Sequence, residues 1–308
     1  MGALTRLAAV SVDLDEIPNY FGIHGIEEPA GAVRTLVYDV AVGRLVTLAT
    51  ELEIPLTLFA IGRDLERPEA ASQLRDAIGL GFEIGNHTFD HRYDLVRLGA
   101  DEIRLQVEEG ARAIERATGH RPVGFRSPGY TVTDVLLDML PGLGMLYDTS
   151  VFPCPLYWLA KATKLQMIAA LGRRSRSVLD SPAVLRAPTK PYRVGRPYWT
   201  RGTGIVEMPV GVTRGPRLPF IGTTLSLAGV LGAQMLARMC VGEPMINLEM
   251  HGIDVLDESD GLGALRPHQV DVRIPWKSKV SAFRSAVEVL RAHGYSFVTL
   301  GEVAQRFR

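Results

Sequence analysis

The sequence is poor in cysteine. Cys154 and Cys240 are the only two among 308 residues, so a disulfide framework is not expected and a reducing compartment suits the chain. A leader is also missing from the expected pattern. Met1 to Glu16 shows no basic region followed by an extended apolar core and reaches acids early, which argues against export. Met1-Gly2 could begin a myristoylation motif, but Arg6 stands where that motif wants Ser or Thr. A cytoplasmic location is therefore expected. There is no repeat and no low-complexity tract, and the basic residues come with no nucleic-acid motif, so a nucleic-acid partner is not expected.

Net charge is absent too, with 34 Lys and Arg against 34 Asp and Glu. The charges are nevertheless segregated. Residues 1–150 hold 13 basic and 23 acidic side chains, a balance of −10, whereas 151–242 hold 13 basic against only Asp180 and Glu207, a balance of +11. A basic middle third implies an anionic partner, or packing of this segment on the acidic first half. At 46% hydrophobic and 22% charged, the composition is that of a globular protein long enough to bury a substantial core.

The richest stretch is 81–91, Gly-Phe-Glu-Ile-Gly-Asn-His-Thr-Phe-Asp-His. A strand-like entry turns at Gly85 and delivers His87 and His91, four residues apart. A helical turn here would put both imidazoles on one side, and two imidazoles begin a catalytic zinc-type site that still needs a third ligand. Thr88 after His87 excludes the His-Glu-x-x-His motif of zinc proteases. Residues 7–15 read as a buried strand ending in Asp13 and Asp15, which would share a face. Two acids so placed suit a metal ligand beside a general base.

The pattern predicts helices over 30–50, 65–79, 100–118, 132–140 and 277–293, and strands over 56–62, 81–87, 124–126, 145–151, 205–210, 245–252 and 296–300. Residues 152–204 read as irregular. Strands alternating with helices imply a mainly parallel sheet, and seven or eight units suggest a β/α barrel. Asp13, Asp15, His87, His91, Arg126 and His251 all fall at or just past strand ends, the catalytic face of such a barrel.

Five pieces in order resemble the polysaccharide deacetylase family, the NodB-homology or carbohydrate esterase 4 group. They are the Asp-containing first strand, His-Thr-Phe-Asp-His (87–91), Arg-Ser-Pro-Gly-Tyr (126–130), Tyr-Asp-Thr-Ser (147–150) and Leu-Glu-Met-His (248–251). The resemblance covers about residues 5 to 304. It implies an α/β fold, a distorted (β/α)7–8 barrel, as a single domain over 1–308 with a basic and apolar insertion at about 152–242. It also implies one divalent metal, zinc first, with cobalt, manganese or nickel as the other candidates. Asp15, His87 and His91 would hold the metal, Asp13 would be the general base and His251 the general acid. Arg126 would hold Asp13, and the backbone N–H of Tyr130 would help hold the oxyanion. The family's usual first motif, Thr-Phe-Asp-Asp-Gly, reads Ser11-Val12-Asp13-Leu14-Asp15 here. That Asp-x-Asp form is similar to the branch with aminoarabinose-lipid deformylases and some amide hydrolases. The tryptophan of the fourth motif has no counterpart, and Asp148 is the weaker match there.

The activity so implied is hydrolysis of an N-acyl group, acetyl or formyl, from an amino sugar. Residues 219–235 contain no charge and read as a helix apolar all round, buried or against lipid. Leu156-Tyr157-Trp158-Leu159 with Lys161, Lys164, Arg173, Arg174 and Arg176 has the composition of an interfacial anchor. Together they suggest an N-acylated sugar on a lipid phosphate and peripheral contact with an anionic membrane face. The rival readings are a soluble hydrolase of a small linear or cyclic amide, and a non-catalytic sugar- or lipid-binding protein of the same fold.

Overall fold

The computed structural model describes residues 6–307; the Met1-Gly2 start lies outside the described residues. Strand β1 (Arg6–Asp13) is buried at every position after its first, as a strand covered on both faces must be. Helices α1 (Ile17–His24) and α2 (Val42–Glu51) lead to β2 (Leu56–Ala60), and α3 (Pro68–Gly79) leads to β3 (Glu83–Asn86). Then follow α4 (Ala100–Thr118), β4 (Gly124–Phe125), α5 (Asp134–Met139) and β5 (Tyr147–Asp148). α4 ends where expected because Gly119 takes the left-handed conformation, φ 77°, that closes helices.

The expectation of irregular structure over 152–204 is corrected. The segment contains the 16-residue helix α6 (Pro155–Ala170) and a short strand, β6 (Tyr192–Val194), that pairs antiparallel with β7 (Arg201–Glu207). α6 lacks a clear apolar stripe because only Ile168 of its residues is buried. The uncharged stretch does form a helix, α7 (Gly222–Cys240), broken at Gly229 (φ 64°) and packed on α8 (Trp276–Ala292). No described helix is long and apolar enough to cross a membrane. β8 (Met245–His251), β9 (Tyr295–Phe297) and α9 (Leu300–Gln305) complete the chain.

The strands run in the order β6-β7-β5-β4-β3-β2-β1-β8, with β9 also on β1, and every pairing except β6–β7 is parallel. The sheet curls into a distorted β/α barrel. Among the described residues β7 and β8 do not pair, and the gap is crossed by the chain at 208–211, where Gly211 N–H donates to Asn247 O at 2.8 Å.

Alternation along the strands sorts the side chains. Ala8, Val10, Val12, Leu58, Ile246, Leu248 and Met250 pack outward against the helices in the main core. Leu7, Ala9, Phe59 and Met245 face the hollow, whose lower end is filled by Leu300, Val303 and Ala304 of α9. Above them the inward positions turn polar: Ser11, Asp13, Asn247 and Glu249 are all buried. A polar upper hollow over an apolar plug places the chemistry at the strands' C-terminal ends.

Candidate active site

β1 ends at Asp13, so Asp15 lies past the strand rather than within it. Both carboxylates still reach one place. His87 Nε2 is 3.7 Å from Asp13 Oδ2 and 3.3 Å from Asp15 Oδ1, and His91 Nε2 is 3.2 Å from the same Asp15 oxygen. The two histidines do not share a helical turn. β3 stops at Asn86, and a loop follows in which Thr88 and His91 have φ of 67° and 53°. Non-glycine residues in that region are strained and collect at functional sites.

The loop is over-determined by hydrogen bonds. Thr88 N–H donates to Asn86 Oδ1 (3.0 Å), His91 N–H to Thr88 Oγ1 (3.1 Å), and Phe89 N–H to Gln106 O (3.0 Å) on α4. α4 approaches closely only because residue 110 is glycine. A Cβ there would stand 2.4 Å from Asn86 Oδ1 and 2.7 Å from the Thr88 carbonyl carbon. Gly110→Ala is therefore expected to destabilise the fold by about 1–3 kcal/mol and to weaken metal binding through the displaced loop. Thermal unfolding and a zinc titration check the two effects.

The donor set fits a divalent cation. His87 Nδ1 is 2.7 Å from Arg126 O, and His91 Nδ1 is 3.2 Å from Asn19 Oδ1. The Nε2 atoms are thus left facing each other at 3.1 Å, and Asp15 Oδ1, buried beside them, has no hydrogen-bond partner among the described residues. Separations near 3.2 Å are close to the edge, about 3.3 Å, of a tetrahedron with bonds of about 2.0–2.1 Å, the zinc distance for nitrogen and oxygen ligands. Burial pushes Asp15 up, but the two imidazoles outweigh it and hold its carboxyl well below the usual range. Burial holds His91 low, whereas Asp13 and Asp15 overcome burial at His87 and raise it. Binding a cation at His87 displaces a proton, so metal affinity falls as pH falls.

Beside this triangle Arg126 is fully buried and anchored on several sides. It donates to Asp13 Oδ1 (2.7 Å), Ser11 Oγ (2.8 Å) and Thr149 O (3.0 Å), and its guanidinium lies 4.4 Å from the Phe59 ring centroid. Asp13 is thereby fixed by a charge-assisted bond with its second oxygen facing the hollow. His251 Nε2 lies 3.9 Å from that oxygen.

Glu249, to which the sequence reading assigns no role, joins this cluster. Its Oε1 is 2.9 Å from His251 Nδ1, and period-two alternation along β8 was the available signal. Burial opposes protonation of His251, but Glu249 and then Asp13 raise it well above the ordinary imidazole value. A group raised in this way stays protonated until pH exceeds its shifted pKa. Glu249→Gln removes the main raising charge, so the alkaline limb of any rate that needs protonated His251 is expected to move to lower pH. An unmoved limb in a pH–rate profile would contradict this pairing. Asn19, on α1, was also missed, and no motif marks it.

Tyr130 is placed differently from expectation. Its N–H donates to Ser127 O at 3.1 Å, closing a 3₁₀ turn, and so does not face the hollow. Its phenol does, with Oη 3.4 Å from His251 Nε2. Asp148 lies apart, accepting from the backbone and hydroxyl of Ser150 at 3.0 and 2.7 Å.

The hollow opens into a chamber of about 660 Å³ whose lining includes Asp13, Asp15, Tyr130 and His251 at one end and Leu156, Leu165, Leu218 and Leu236 beyond. Lys161 of α6 also lines it; burial pushes this ammonium down to about 8 against the pull of Asp180.

Residues 38–147 match the polysaccharide deacetylase family model. The chain is 24% identical over 147 residues to the peptidoglycan deacetylase of Helicobacter pylori, covering 47% of this chain and 49% of that protein. It is 28% identical over 195 residues to the peptidoglycan deacetylase-like protein FGM2 of Gibberella zeae, covering 56% of each. The chain thus spans about half the length of the curated relatives it matches. A solved Mycobacterium smegmatis structure, assigned as a polysaccharide deacetylase, superposes with a TM-score of 0.62 at 19% identity, covering 99% of this chain and 91% of that one. At that identity the likeness bears on the fold.

Proposed function

We propose, from the match of residues 38–147 to the polysaccharide deacetylase family model, that the chain is a metal-dependent hydrolase removing an N-acyl group from an amino sugar. One observation carries the reading: Asp15, His87 and His91 converge as a possible metal-donor triangle, and the fixed carboxylate Asp13 lies beside it, its Oδ2 3.7 Å from His87 Nε2 and 3.9 Å from His251 Nε2. Amide hydrolysis needs a base for the attacking water and an acid for the departing amine.

A divalent ion held by Asp15, His87 and His91 would supply an activated water near neutral pH and polarise the acyl carbonyl. Asp13 Oδ2, the oxygen not bonded to Arg126, takes the proton of the attacking water. Arg126 keeps that carboxylate oriented through the reaction. His251 Nε2 protonates the amine as it leaves, and Glu249 behind Nδ1 stabilises the imidazolium beforehand. The Tyr130 phenol, 3.4 Å from His251 Nε2, is placed to hold a polar substrate group beside that proton.

We further propose that the sugar is carried on an apolar anchor joined through phosphate. The apolar lining of the chamber supports this, as do the exposed Leu159 and Met167 on α6, Leu171 just past its end, and Leu227, Leu231 and Met235 on α7. Peripheral contact with an anionic membrane, at its cytoplasmic face, is part of the same proposal. The test is acid release by proton NMR from a membrane-lipid extract and from a soluble extract, each given zinc-loaded protein. Formate or acetate from the lipid fraction supports the reading and names the acyl group. Acid from the soluble fraction alone would replace the lipid carrier with a small soluble amide.

A further inference from the structure

Helix α6 turns Tyr157, Lys161, Lys164, Leu165 and Ile168 into the chamber, a spacing of three and four that marks one helical face. Its two ammonium groups are bonded only to carbonyl oxygens. Lys161 Nζ donates to Gly129 O and Lys164 Nζ to His268 O, each at 2.9 Å. Among the described residues neither has a carboxylate oxygen within the 4.0 Å of an ion pair. Asp180, whose charge still reaches Lys161, lies outside that distance. Asp271, which also lines the chamber, is committed to Lys279 at 3.2 Å.

Two half-buried ammonium groups on one face of the chamber, neither paired to a carboxylate, offer a ligand's anion an open place to bind. An ammonium has three donors, and each of these uses one on protein. The place is close to the chemistry, since Gly129, which accepts from Lys161, directly precedes Tyr130. The chamber also has an apolar way out. Leu156 of α6 and Leu227 of α7 both line it and are themselves 53% and 54% exposed.

We propose that Lys161 and Lys164 form a phosphate-recognition subsite that takes the phosphate ester of an amphiphilic substrate, with the apolar chain leaving between Leu156 and Leu227. This rests on the hydrolase reading above and names the groups that select the carrier. Two point charges suit a phosphate better than a neutral polyol, and an ester puts chain and anion in one molecule.

The test is calorimetric binding of monomeric dodecyl phosphate, dodecyl maltoside and inorganic phosphate to the zinc-loaded protein. Lys161→Met and Lys164→Met are compared with the unaltered chain, with thermal unfolding as the control for folding. Dodecyl phosphate is expected to bind at least about tenfold tighter than either other probe, and each substitution to weaken it by roughly tenfold or more. Dodecyl maltoside binding should not change. Equal affinity in the variants overturns the subsite. Inorganic phosphate bound as tightly as the ester overturns the amphiphile, and binding lost in His91→Ala assigns the phosphate to the metal donors instead. Lysine-dependent binding to phosphatidylglycerol vesicles, with none to monomeric dodecyl phosphate, makes the pair a membrane contact and also overturns it. Because binding is read without turnover, a chain that releases no acid can still show the subsite.

Discussion

Asp13→Asn is expected to lower the rate of acid release by about 10²–10⁴-fold, the contribution of a positioned general base, while leaving bound zinc unchanged. Asparagine rather than alanine is the informative choice. Arg126 is fully buried, and its bond to Asp13 Oδ1 is 2.7 Å. Emptying that position would strand a buried guanidinium, which costs about 3–5 kcal/mol and confuses catalysis with folding. An amide oxygen can still accept from Arg126, so the variant keeps the geometry and loses the base. Metal analysis and single-substrate kinetics on the same preparation separate the outcomes. Zinc lost along with activity would mean that Asp13 holds the metal and that the assignment of base and ligand must be exchanged.

The second large effect concerns the donors. His91→Ala is expected to lose both zinc and activity, because on the proposed reading it removes one of three direct ligands. Its neighbour sets the scale: outer partners of a metal site are worth about 10–100-fold in affinity. Asn19 is such a partner, with Oδ1 3.2 Å from His91 Nδ1. Asn19→Ala should therefore fall in that range, and His91→Ala well beyond it. Zinc competition with a chromophoric chelator gives both numbers. Equal losses for the two variants would argue that His91 is not a ligand.

The strand-end residues were readable because the chemistry and the backbone period point the same way. Alternation in β1 and β8 fixes which side chains enter the hollow, and the five ordered motifs lie at the ends of β1, β3, β4, β5 and β8. What was hidden has physical causes. Asn19 touches His91 across 72 residues of chain, and nothing in its own neighbourhood marks it. Glu249 was visible two residues before His251, but an acid on a buried strand reads first as structural. α6 escaped because a helix with one buried residue in 16 has no periodic stripe, most of its other apolar side chains being exposed or facing a chamber while Trp158 packs on the core. Tyr130 shows a further limit. Its motif predicts a backbone donor, yet the Gly129-Tyr130 turn, with φ of 65° and 58°, spends that N–H on Ser127 and presents the phenol instead.

The most direct measurement is the rate of acid release as zinc is returned to chelator-stripped protein, followed by proton NMR with bound metal determined in parallel. The account predicts a rate near zero in the stripped chain, rising in proportion to bound zinc and saturating at one ion per chain. Release by the stripped protein as fast as by the loaded one would contradict metal-dependent hydrolysis at Asp15, His87 and His91.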